Sequence, residues 1–184
     1  MKTLAPVLTL LLLMLFPGPA AFGLEFAGEL TTRVGTRSMT GKIHFKPDRW
    51  RVEMASPEGP RVSINRMDKV VTWLLLPNKT YIEIPLRFDQ FPQVAPKLKG
   101  EVRRTLVGAE RVGGRTTEKY EVTVESEGRK VIMYQWVAPD IKFPMKTANA
   151  DGSYESAYSS VTIGPQPAHL FELPSGYTKT ALQP

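Results

Sequence analysis

Two histidines, eighteen carboxylates and no cysteine are the versatile chemical groups of this 184-residue chain. His44 and His169 stand far apart, and neither has a neighbour at zinc-ligand spacing. No metal site is expected. The nucleophile pattern Gly-x-Ser-x-Gly does not occur. Glu53 and Asp68 lie among basic residues and read as surface ion pairs on the polar sides of strands. Asn78-Lys79-Thr80 matches a glycosylation sequon but sits between two apolar runs, where it reads as a hairpin turn. No residue is assigned a catalytic role, no cofactor is expected, and an enzyme is the weakest functional reading.

The informative side chains are apolar and aromatic. Trp50, Val52 and Met54 recur at every second position, as do Trp73 and Leu75, and Ile132, Tyr134 and Trp136. Phe88 and Phe91 lie on a proline-broken segment between strands. Each residue alone fits an ordinary core. Together they describe the lining of a concave apolar site, and all ten are taken as candidate ligand-binding residues.

These residues require strands to hold them. Turn residues recur every 8–12 positions, the spacing of an all-β sandwich or barrel, and no segment sustains a 3.6-residue period. Strands are expected over 25–34, 38–46, 49–55, 60–65, 69–76, 79–84, 103–112, 116–125, 130–137, 144–148 and 154–163. Arg49, Arg51 and Glu53 alternate with Trp50, Val52 and Met54, which implies a sheet packed mainly on one face. Residues 70–76 are apolar on both faces, so that strand is central or has its outer side covered. The stretch 85–100 carries Leu86, Phe88, Phe91, Val94 and Leu98, and Pro92 and Pro96 exclude a long helix. It is expected to lie over the sheet as a short helix or an extended flap, with a second small cap at 167–171. The expected fold is all-β and mainly antiparallel: one curved sheet, a half-barrel of about eleven strands, with a short helical or irregular lid.

The first 23 residues read as a signal peptide. Lys2 precedes an apolar run from Leu4 to Phe16, then Pro17-Gly18-Pro19, with small residues at Ala21 and Gly23. The run is shorter than the roughly 20 residues of a membrane span. Cleavage is expected near Gly23, with residues 24–184 forming one domain in the periplasm. Without cysteine there is neither a lipid-modified N-terminus nor a disulfide, so the core must carry the stability. Loss of Lys2 leaves 23 basic against 18 acidic residues. This excess gives weak attraction to an anionic membrane surface. The basic residues are scattered over many strands, which argues against nucleic acid.

Three stretches resemble the outer-membrane lipoprotein carrier family. Gly41-Lys42-Ile43-His44-Phe45-Lys46-Pro47-Asp48-Arg49-Trp50-Arg51-Val52-Glu53 resembles its second and third strands. Val70-Val71-Thr72-Trp73-Leu74-Leu75-Leu76-Pro77 resembles a later strand, and the closing segment Leu170–Tyr177, with Pro174 and Gly176, its C-terminal signature. The resemblance covers most of the chain after the leader, in order. It implies a half-barrel of eleven strands, lidded over a concave apolar face, with acyl chains bound inside. Two features depart from the family. Its long helix before the first strand is missing, because strand-like sequence follows Gly23 directly. Lys46 stands where the carriers have an arginine that helps hold the lid, so Lys46 is the expected lid contact. The implied function is a binding or carrier protein for a lipid, an acylated protein or another amphiphile. The alternative is an envelope sensor or interaction module that binds a protein partner through a sheet edge or basic face.

Overall fold

The computed structural model describes residues 23–55, 59–87, 91–126 and 128–181. Twelve strands form one open sheet: β1 Phe26–Val34, β2 Arg37–Lys46, β3 Arg49–Met54, β4 Arg61–Arg66, β5 Val71–Leu75, β6 Thr80–Pro85, β7 Glu101–Val112, β8 Arg115–Ser126, β9 Arg129–Ala138, β10 Phe143–Asn149, β11 Tyr154–Ile163 and β12 Thr178–Lys179. The eleven expected strands are all present, with ends moved by one to a few residues. The twelfth, β12, is additional. It is two residues long and carries no periodicity to read. It runs parallel to β6, whereas every other pairing is antiparallel.

The order across the sheet is β12-β6-β5-β4-β3-β2-β1-β11-β10-β9-β8-β7. Two meanders, β1–β6 and β7–β11, join through the pairing of β1 with β11. Tight turns make the meanders. Gly113-Gly114 closes the β7–β8 hairpin, both residues at positive φ, as a two-residue hairpin loop demands. At Gly113 a Cβ would also lie 2.5 Å from the carbonyl oxygen of Tyr158. The hairpin tip therefore folds back against β11, and the sheet curls.

Topology dictates what the linker does. β6 and β7 are consecutive in sequence, yet nine strands lie between them. That separation is roughly 50 Å along the arc, and residues 86–100 reach roughly that far only when fully extended. A curled sheet shortens the path, and the linker crosses one face of it. Its described part is irregular, with no helix. That face is called inner below.

Each face carries its own core. On the inner face Phe26, Ile43, Phe45, Trp50, Phe143 and Tyr158 are buried together, and Leu86, Phe91 and Val94 of the linker pack on them. Phe26 stacks on Phe45 with ring centres 5.3 Å apart, and Phe143 meets Phe26 edge-on at 4.8 Å. On the outer face Ile64, Trp73 and Leu75 bury Phe171, which sits in the 3-10 turn Ala168–Phe171. This is the second cap expected at 167–171.

Candidate functional site

Cross-strand register decides which residues share the inner face, because directly opposed residues in an antiparallel pair point to the same side. Trp50 opposes Phe45, and Phe45 opposes Phe26. Along β1, Leu30 opposes Tyr158 and Thr32 opposes Ser156. Ser156 opposes Thr147, and Thr147 opposes Gln135. Trp50, Val52, Met54, Tyr158 and Gln135 therefore share the inner face.

The same register corrects half of the expected site. Ile64 opposes Arg51 and Trp73 opposes Ile64, so Trp73 and Leu75 point to the outer face. They pack under Phe171 rather than beside Trp50. Ile132, Tyr134 and Trp136 alternate with Gln135 and are outer as well. Trp136 lies beside Lys146, whose Nζ is 4.6 Å from the ring centre, and donates its Nε1–H to Glu110. Ile132 is 47 % exposed. Alternation sorts each strand correctly into two sides. It does not say which side of one strand continues which side of the next.

Lys46 is also displaced from its expected role. It follows inner Phe45 and lies on the outer side, where its Nζ is 3.2 Å from Glu25. Glu25 accepts the backbone N–H of Gln166. Lys46 thus ties the start of β1 to the C-terminal segment; among the described residues its ion pair is with Glu25 and not with the flap. Phe88 lies outside the described residues.

Phe91 seats on the inner face. Its ring meets Trp50 edge-on at 5.0 Å and Phe45 at 5.9 Å. Beside it opens a cavity of about 420 Å³ lined by Leu30, Met39, Val52, Phe91, Tyr154 and Tyr158 among others. Further along, Val94 and Pro96 border a second cavity of about 570 Å³ with Leu24, Ile141 and Ile163. The flap thus runs between two apolar spaces on the inner side. The Tyr158 hydroxyl is buried with no hydrogen-bond partner among the described residues, and burial pushes its pKa above the ordinary phenol range.

The far half of the flap is held by polar groups that sequence reasoning missed. Arg104 donates to Glu101 (2.8 Å), to the Pro96 carbonyl (3.0 Å) and to the Gln135 side-chain oxygen (2.7 Å). Gln135 is fully buried and donates to the Ala95 carbonyl at 3.2 Å. The Arg104 guanidinium, together with the Leu98 N–H, holds the Glu101 carboxyl below its usual range. A lone glutamine on the otherwise apolar side Val131-Met133-Gln135-Val137 was the available signal, since a buried amide needs partners.

The outer surface is strapped rather than open. Arg66, 4 % exposed, donates to the Phe171 carbonyl at 3.1 Å and pairs with Glu172 at 2.7 Å and with Asp68. Among the described residues, no cluster of three or more histidine, cysteine or carboxylate side chains could hold a metal.

No protein-family model matches the chain, and no curated protein matches it in sequence. Solved structures do match in fold. An uncharacterized conserved protein from Thermus thermophilus superposes with a TM-score of 0.56 at 12% identity, over 85% of this chain and 90% of that one. MucB superposes with a TM-score of 0.58 at 17% identity, over 84% of this chain and 58% of MucB. The MucA/MucB complex of Pseudomonas aeruginosa gives 0.52 at 18% identity, over 81% and 56%. The chain spans little more than half the length of the MucB chains it matches. It shares with these structures the fold of one open, curled, mainly antiparallel sheet.

Proposed function

We propose that this chain is an exported binding or carrier protein that holds the apolar chain of a lipid, an acylated protein or a similar amphiphile on its inner face. The observation that carries the proposal is the seating of Phe91. A flap residue plugs an aromatic floor made of Trp50 and Phe45, and an apolar cavity of about 420 Å³ continues beside it. Preformed concave apolar sites of this volume suit small ligands. An apolar chain can replace the Phe91 ring at little net cost, because both bury similar area against the same floor. The resemblance of three stretches of the sequence to the lipoprotein carrier family supports this reading. The modest basic excess of the chain after its leader would aid approach to anionic headgroups.

The test is binding of a fluorescent fatty-acid analogue, together with mass spectrometry of lipid retained by the purified protein. Wild type is expected to bind, and Phe91→Ala to bind with altered affinity. No binding by either protein, or identical binding by both, would refute the ligand role of the cavity. A second reading is an envelope module for a protein partner. The fold shared with MucB, solved in complex with MucA, supports it. Crosslinking in the periplasm of the producing cell tests it.

A further inference from the structure

The two edges of the sheet are treated differently. At one edge β12 covers β6, with Thr178 N–H bonded to Lys79 O at 3.1 Å and Thr180 N–H to Tyr81 O at 2.9 Å. At the other edge stands β7, Glu101–Val112, and no described residue pairs with its free side. From Thr105 to Arg111 every residue is exposed, and Leu106 and Val107 are 58 % and 48 % exposed at its centre. A long edge with an apolar middle is a template for another strand. We propose that the strand it takes is β7 of a second copy of this chain, antiparallel about a two-fold axis between Leu106 and Val107.

Charge and the bulge in β7 select this partner and this register. The alternation of β7 shifts between Leu106 and Gly108. Arg103 and Thr105 before the bulge therefore share a face with Gly108 and Glu110 after it. Opposed residues of two copies must share a face. In the proposed register the charged and polar pairs do: Arg103 opposes Glu110 and Thr105 opposes Gly108, each twice by symmetry, with Leu106 and the bulged Val107 meeting at the centre. Sliding the copies by one opposed pair one way brings Glu101 opposite Glu110, which lie on different faces, and the other way sets Arg104 against Arg111 on one face. Directly opposed like charges destabilise a strand pair. Arg103 is exposed and makes no ion pair among the described residues. Glu110 receives the Trp136 N–H and lies 4.0 Å from the Lys119 Nζ, yet its side chain stays 50% exposed and open to a second cation. The edge is thus complementary to itself in shape, polarity and charge.

The absence of cysteine makes the register directly testable in protein purified after expression of the full chain. Thr105→Cys and Gly108→Cys are prepared separately. Both positions are exposed, and a Cβ at Gly108 meets nothing within 4 Å. Mixed under mild oxidation, they are expected to give a disulfide-linked heterodimer faster than either alone. Sedimentation of the unaltered protein is expected to show a concentration-dependent dimer, which Arg103→Glu shifts to monomer. A mixture of Arg103→Glu with Glu110→Arg restores both ion pairs and is expected to dimerise again. A monomer at every concentration overturns the proposal and leaves the edge for a different partner. So does a dimer in which the two cysteine variants crosslink no faster together than apart, or one that the charge-swapped mixture fails to restore.

Discussion

Tyr158 is a buried side chain whose surroundings leave its polar atom unsatisfied. Its ring packs edge-on against Phe26 at 5.8 Å and Phe143 at 5.1 Å, but its hydroxyl is buried with no partner among the described residues. An unpaired buried hydroxyl costs roughly 1–3 kcal/mol. Tyr158→Phe keeps the ring and removes the penalty. It is expected to stabilise the protein by about 1 kcal/mol in urea denaturation; a loss of stability would mean the hydroxyl has a partner after all. Nothing in the alternation of β11 marks this residue. Its surroundings are set by Phe26 of β1 and Phe143 of β10, which only the tertiary structure brings to β11.

The flap and the C-terminal strap are both irregular segments on a sheet face, yet they are fastened by different physics. One half of the flap is held by the Phe91 ring, the other by the Arg104–Gln135 hydrogen bonds. Phe91→Ala is expected to change amphiphile binding while leaving residues 95–98 protected in hydrogen exchange. Arg104→Ala strips Gln135 and the Pro96 carbonyl of a charged donor. It is expected to destabilise the protein by roughly 1.5–3 kcal/mol and to expose 95–98 to exchange. If both variants loosen the flap equally, the division into halves is wrong.

The strap depends on charge. Hydrogen bonding from the Arg66 guanidinium lowers Asp68 from its ordinary value to about 2. A carboxyl depressed by folding stabilises the native state above its unfolded value, and that contribution is lost as pH falls through the folded one. The strap is therefore expected to loosen between about pH 4 and pH 2, seen as faster hydrogen exchange over Leu170–Tyr177. The effect should be modest, since the Asp68 side chain is 34% exposed. Asp68→Asn should abolish the pH step; a step that survives this change would belong to another group. The second option read from residues 70–76, an outer side covered by something, is the arrangement observed. Phe171 is the cover.

Seen whole, the molecule is two meanders closed into one curled sheet by β1 and β11, with the β6–β7 linker drawn across the inside. Because β1 is this seam, the start of the folded domain is constrained. Glu25 already bonds Gln166 and pairs with Lys46. A leader ending at Gly23 would free the chain just before these contacts. The exported protein is expected to begin at Leu24, checked by intact mass and N-terminal sequencing. A start beyond Glu25 would remove the Lys46 and Gln166 contacts and contradict the proposed cut.

Local chemistry alone determined that the chain is all-β, where its first eleven strands run, and that residues 85–100 must cover an apolar surface. Those properties depend on near neighbours: alternation over a few residues, turn formers, and prolines that forbid a helix. Only the tertiary structure decided that Trp50 and Phe91 face each other while Trp73, Tyr134 and Trp136 turn to the opposite side. The physical reason is that side chains repeat every two residues along a strand. A shift of one residue in pairing exchanges the faces of everything beyond it. Register is fixed between segments distant in sequence, and the bulges in β11, β7 and β10 change its parity.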